Sequence, residues 1–246
     1  MDRLVYTAMT GARHVMEQQA TVANNLSNVT TTGFRAQLDS FRAVPVVSDG
    51  LPTRAFVVDS TVGADMRAGP IQTTGRPLDV AIRDQGWLAV TSADGSEAYT
   101  RNGSLKVSDN GLLQTQSGLT LVGDGGPIAI PPDTNISIAS DGTVSAISND
   151  FKPGPANVLG RLKLVNPDTK GLVRGNDGLF RQTSGEVAEN DPAVRLVDGA
   201  LEGSNVNAVD SMVNMISLAR QFEMQMSLLK NAENNAAKAT QILALS

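Results

Sequence analysis

Asp79, Asp84 and Asp94 are the nearest this sequence comes to a set of paired carboxylates. Such a pair drives glycoside hydrolysis, with one carboxyl as general acid and the other as base or nucleophile. Their spacing defines no shared face. Asp79 lies inside the apolar run 78–82, where an aspartate is expected to face water or cap a turn. Gly123-Asp124-Gly125-Gly126 has the composition of a phosphate cradle. A phosphate loop must open a helix, and here Pro127 and residues 128–130 continue as strand, so that reading falls. Gly175-Asn176-Asp177-Gly178 has calcium-like residues but too few ligands for a calcium loop, and a tight turn is expected. The chain has one histidine, His14, and no cysteine. That removes disulfides, thiolate metal sites, iron–sulfur clusters, multi-histidine zinc and cysteine nucleophiles. Any Ser-His-Asp arrangement must pass through His14, which sits on a helix flank and is expected at a subunit contact or in water. No residue is assigned a catalytic, cofactor-binding or metal role.

The elements that would position such groups are unevenly spread. The chain has 246 residues, a net charge of −5 and nine aromatic residues. The acidic balance and scarcity of stacking residues argue against nucleic acid as a partner. No apolar run approaches the roughly 20 residues of a membrane span. The opening Met1-Asp2-Arg3-Leu4-Val5-Tyr6 has no basic region leading into an apolar one, so no Sec-type signal is expected. All eleven prolines lie between Pro45 and Pro192, and the glycines outside 50–203 are Gly11 and Gly33. Prolines and glycines are costly in helix interiors, so the pattern predicts helix, a long turn-rich middle, then helix.

Ala8, Val15, Val22 and Val29 recur every seven residues, with Ala12, Gln19 and Leu26 four positions behind the first three. Val5 extends this stripe backwards. It predicts a helix of about 26 residues, roughly 39 Å long, with an a/d-like seam. The β-branched run Thr30-Thr31-Thr32 followed by Gly33 stops it near Asn28. Near the other end, Met215, Phe222, Leu229, Ala236 and Leu243 are spaced by seven, with Met212, Ala219, Met226, Glu233 and Thr240 as companions. Asn205 or Asn207 caps this helix, and 207–244 would span roughly 57 Å. Its methionines, including Met224, suit packing against non-identical neighbours. The middle reads as β. Asp94-Gly95, Asn102-Gly103 and Asn110-Gly111 recur every eight residues, then Ser117-Gly118, with short apolar runs between. Such pairs favour two-residue hairpins, because both central residues need positive φ, and they predict a meander. Two readings of the helices stay open. Both cover the β core of their own chain, or they pair with each other and with other copies. A single β domain offers little surface to so long a helix.

Ala23-Asn24-Asn25-Leu26-Ser27-Asn28-Val29-Thr30-Thr31-Thr32-Gly33-Phe34-Arg35 resembles the N-terminal signature of the bacterial flagellar rod and hook proteins. Leu201-Glu202-Gly203-Ser204-Asn205-Val206 resembles that family's C-terminal signature. Between them, Arg76-Pro77-Leu78-Asp79-Val80-Ala81-Ile82, Tyr99-Thr100-Arg101-Asn102-Gly103-Ser104 and Ser140-Asp141-Gly142-Thr143-Val144 agree with it too. Arg35 stands where the family usually has Lys, and Ser27 where it has Ala. Ala219-Arg220-Gln221-Phe222 stands where distal-rod and hook members usually show Gln-Arg-Ala-Tyr. That last departure, the opening Met1-Asp2-Arg3, Phe34-Arg35-Ala36-Gln37-Leu38 and the modest length resemble the proximal-rod branch.

The resemblance implies a mainly β protein with long N- and C-terminal helices. Residues 1–44, a helix followed by an extended segment, and the helix of 204–246 would form a coiled-coil inner layer, and 45–203 an outer β domain. It implies a structural subunit of the proximal rod in the periplasm, neither enzyme nor cofactor binder, with no small-molecule substrate. Its partners would be other rod proteins, copies of itself and the flagellar type III export apparatus. The assembly seams implied are Val5, Ala8, Ala12, Val15, Val22 and Leu26 on the first helix, and Met212, Met215, Ala219, Phe222, Met226 and Leu229 on the second. The signature residues Asn24, Asn25, Leu26, Asn28, Gly33 and Phe34 follow the first helix's seam, with Phe34 either a local core residue or an anchor into a neighbour. The competing class is a secreted β-rich enzyme or carbohydrate-binding module with helical tails, which needs a pocket of converging carboxylates.

Overall fold

The computed structural model describes residues 2–45, 55–148 and 156–244. Among the described residues two α-helices flank eighteen strands: α1 (Asp2–Ser27) and α2 (Ala208–Ala244). The strands are β1 (Gln37–Pro45), β2 (Ala55–Ala64), β3 (Ile71–Thr73), β4 (Val80–Ile82), β5 (Trp87–Thr91), β6 (Glu97–Thr100), β7 (Leu105–Val107), β8 (Leu113–Thr115), β9 (Thr120–Gly123), β10 (Gly126–Pro127), β11 (Thr134–Ile138), β12 (Thr143–Ser148), β13 (Asn157–Arg161), β14 (Leu164–Val165), β15 (Leu172–Arg174), β16 (Phe180–Gln182), β17 (Leu196–Asp198) and β18 (Ala200–Glu202). The chain is thus mainly β with two terminal helices, and those helices pack on each other. No described helix is long and apolar enough to cross a membrane.

Contacts divide the chain into two compact units. The helical unit holds Met1–Asn28, Gln37–Gly63 and Val206–Ser246. Its α2 begins where Asn207 Oδ1 accepts from the backbone N–H of Val209 and Asp210, at 3.0 and 3.4 Å. That resolves the choice of cap in favour of Asn207, since its side chain meets the free donors of the first turn. Strands β1 and β2 pair with each other, and β1 runs along α1. Asn25 meets the Gln37 backbone at both groups: its amide donates to the carbonyl at 2.9 Å and its oxygen accepts the N–H at 2.8 Å. Thr21 donates to Asp39 at 2.9 Å, and the His14 ring meets the Phe41 ring edge-on with centroids 5.9 Å apart.

The β unit holds Val29–Ala36 and Ala64–Asn205. Its main sheet runs β15-β16-β6-β5-β9-β8-β7, with β10 on β9 and β14 on β5. Strand β5 explains its central place. Leu88 and Val90 enter one apolar cluster with Leu105, Leu113, Leu121 and Leu162. Trp87 and Ala89 enter another with Tyr99, Val165 and Phe180. A strand with apolar side chains on both faces must be covered on both. A second sheet orders β11-β12-β13, while β17 pairs β4 and β18 pairs β3.

The expected meander is interrupted. Hairpins do join β5 to β6 and β7 to β8 to β9, and Gly95, Gly111 and Gly118 take positive φ of 82°, 74° and 88°. Between β6 and β7, however, the chain crosses over, and β9 returns to pair with β5. Asn102-Gly103 is therefore no hairpin turn. A side chain at Gly103 would overlap the Val80 backbone carbonyl, so this glycine serves close packing of two chain segments.

Candidate functional site

The apolar faces of the two helices are the part of the molecule the sequence singles out. On α1, Ala8, Ala12 and Val15 are buried, and Val5, Val22 and Leu26 are half-buried. On α2, Leu218 and Ala232 are buried, and Met215, Ala219, Phe222, Gln225 and Leu229 are half-buried. The covered stripe thus runs Met215, Leu218, Phe222, Gln225, Leu229, Ala232, in alternating steps of three and four. The companion series expected from the sequence lies beside it: Met212 is 52% exposed and Met226 47%. At Gln225 the physical reason is Gly11. A Cβ there would sit 3.3 Å from the Gln225 side chain, so the missing side chain on α1 makes room for a glutamine on α2. Apolar character alone ranks the methionines above that glutamine; packing reverses the order. Ala236 and Leu243 lie outside the described side chains.

His14 is half-buried within its own unit, with Nδ1 3.2 Å from Glu17 Oε2 and Phe41 at its edge, so neither water nor a subunit contact is needed to account for it. Arg13, as hydrogen-bond donor, is the main cause holding the Glu17 carboxyl below its ordinary range.

The two signature segments meet inside the β unit. Gly33 takes φ of 69° and donates its N–H to the Glu202 carbonyl at 2.8 Å. Ala36 N–H donates to Asn205 Oδ1 at 2.7 Å, and the Asn205 amide donates to the carbonyls of Asp65 and Arg67. Phe34 is 5% exposed, with the Arg174 guanidinium 4.3 Å from its ring centre. It is a local core residue, and the anchor alternative is set aside. Asn24 and Asn28 close the end of α1, where the Asn28 side chain donates to the Asn24 carbonyl at 2.9 Å.

One cluster escaped the sequence reading. Arg35 and Arg101, both buried, share the buried carboxylate of Glu202, at 2.5 and 2.9 Å. Arg101 also donates to the Asp84 carbonyl at 2.7 Å and stacks 5.5 Å from the Trp87 ring. Burial pulls the Arg101 guanidinium down, and Glu202 opposes that shift. The available signal was a lone charge of each sign inside two otherwise uncharged signatures at opposite ends of the chain.

The carboxylates do not converge into an acid–base pair. Asp79 is 3% exposed rather than facing water. It accepts from Thr74 at 2.9 Å, Arg76 at 3.2 Å and Ser104 at 3.3 Å, and so ties a turn to the next segment. Asp94 is lowered by hydrogen bonds from Ser96, which suits a turn and not a general acid. Gly175–Gly178 is the turn between β15 and β16, where Asp177 accepts from Leu179 N–H and pairs with Arg181 at 2.7 Å. Among the described residues no cluster of acidic or histidine side chains forms a metal site.

The chain matches three family descriptions: Flagella basal body rod protein over residues 5–35, Flagellar hook protein FlgE/F/G D1 domain over 81–146, and Flagellar basal body rod FlgEFG protein C-terminal over 197–242. It is 50% identical to the flagellar basal-body rod protein FlgF of Escherichia coli and 47% to that of Salmonella typhimurium, across the full length of both chains each time. It is also 32% identical to the flagellar basal-body rod protein FlgG of Agrobacterium fabrum, over 96% of this chain and 97% of that one. The chain therefore belongs to the flagellar basal-body rod protein family, as a structural component of the rod that joins other rod proteins in the periplasm.

Proposed function

We propose that this chain is a subunit of the proximal rod, stacking helically with copies of itself and other rod proteins into a shaft that carries motor torque. The observation that carries this reading is a second apolar stripe on α2. Val209, Met212, Val213 and Ile216 are each more than half exposed and are spaced to lie along one side of the helix. An isolated chain gains nothing from so much exposed apolar surface, whereas a helix packed on several sides in an assembly does. In this reading the helices of the terminal segments coil together as the inner layer, and the β unit forms the outer domain. The lack of any cysteine suits passage through the type III export apparatus as an unfolded chain into an oxidising space.

The test is Ile216→Glu in the full chain, expressed in a non-motile strain lacking its own copy. The purified variant is expected to fold normally while motility is lost, because the carboxylate has no partner in an apolar contact. Full motility would sink the assembly role of this stripe.

A further inference from the structure

The signature segment Val29–Ala36 belongs to the β unit, although the chain on either side of it belongs to the helical unit. The backbone therefore passes between the units four times: at 28/29, 36/37, 63/64 and 205/206. Two of these crossings exist only while the segment is docked. Beside a turn bond from Phe34 N–H to the Thr31 carbonyl, the segment makes several hydrogen bonds to distant parts of the chain. Gly33 reaches Glu202, Thr32 reaches Asn102 at 2.9 Å, Ala36 reaches Asn205 and Asp65, and the Arg35 carbonyl accepts from Arg174 at 3.2 Å.

The docking is tight and also costly. Two guanidinium groups share one carboxylate, which leaves an excess positive charge in the interior. The Nε and Nη2 of Arg35 and the Nε of Arg101 are buried and meet no acceptor of the protein. Buried donors that gain no protein acceptor on docking oppose the docked state, so this segment is held by less than its contacts imply. Such a piece opens locally before the core does.

We propose that residues 29–36 form a strap, closed by Glu202, that docks and undocks as one piece, and that its docking couples load on the helical unit to the β unit through four chain crossings instead of two. The coupling half rests on the rod reading above; the docking half does not.

Hydrogen exchange on the full chain tests the docking. Gly33→Ala acts by sterics alone, because its Cβ would overlap the Arg101 backbone at a positive φ. Glu202→Gln acts by charge. In the wild type, the Gly33 and Ala36 amides are expected to exchange faster than those of Leu105 and Leu113, which bond Leu78 and Ile128 in the core. The Gly33→Ala variant, read at residue 33 and at Ala36, speeds strap exchange by about tenfold or more, with Leu105 and Leu113 unchanged. Glu202→Gln does the same if it folds. Strap amides as slow as the core ones, or core amides accelerating in step with Gly33→Ala, would overturn the strap. Swimming in media of rising viscosity tests the coupling. Cells carrying Gly33→Ala, or Arg35→Lys if the first does not assemble, are expected to lose speed more steeply with load than the wild type. Equal curves overturn the coupling. A wild-type chain that fails to restore motility sinks the rod reading and leaves the exchange result standing.

Discussion

Leu218 and Met226 stand eight residues apart on α2 and separate folding from assembly. Leu218 is 8% exposed and faces α1. Leu218→Ala removes most of a buried side chain, and such changes cost about 2–5 kcal/mol. Two packed helices can close on the gap more readily than a full core, which points to the lower end, about 2 kcal/mol. In a unit of this size each kcal/mol lowers the midpoint by about 4–8 °C, so the helical signal should melt some 8–16 °C earlier. Met226 is 47% exposed, so about half its side chain is left for a neighbour, worth on the order of 1 kcal/mol. Met226→Glu gives up that contact and places an unpaired carboxylate in the interface, at a cost of several kcal/mol. That cost recurs at every copy in the assembly. The assay pairs circular dichroism melts at 222 nm of the purified full chain with motility of a complemented deletion strain. Leu218→Ala should lower the melt; Met226→Glu should leave it alone and abolish motility. A melt that falls equally for both would place Met226 on the intramolecular face. Normal motility with Met226→Glu would show that the half-exposed flank beside the covered stripe is not an assembly surface at this position.

Acid should destabilise the β unit in a defined window. Asp65 is held low chiefly by the hydrogen bond from Arg67, Asp177 by that from Arg181, and Asp141 by the backbone and side chain of Thr143. Each folded value lies below the unfolded one, so the stabilisation is complete above the unfolded value and fades as pH falls through the folded one. The melting temperature should be level from pH 7 to about 5 and drop below about pH 4, with a shallower drop in Asp65→Asn; an unchanged profile in that variant refutes the assignment. Gly103→Ala should cost on the order of 3 kcal/mol by forcing the Val80 backbone away, read as an early thermal transition of the β unit. A wild-type melt would mean that the approach of the two segments is not tight.

The sequence determined the large divisions. Heptad spacing and the absence of breakers in the last 43 residues place α2 within a residue of its observed bounds, and Thr30 to Gly33 ends α1 where expected. Helix periodicity and stop signals are local, so they are legible without partners. Dipeptides such as Asp94-Gly95 and Asn110-Gly111 marked true turns for the same reason. The signatures themselves were sufficient to point to the family.

Tertiary structure decided whatever depends on which segment lies against which. Gly103 shares its dipeptide chemistry with the turn glycines, yet a backbone from another part of the chain dictates it. Strands β1 and β2 were not expected, because β1 is held by side chains of α1 as well as by its own apolar pattern. Gln225 entered the helix interface because Gly11 left space on the facing helix, and no property of Gln225 alone announces that. The Arg35–Glu202–Arg101 cluster joins positions 167 and 101 residues apart. A buried charge is tolerable only beside its counter-charge, and chain position alone does not reveal that neighbour.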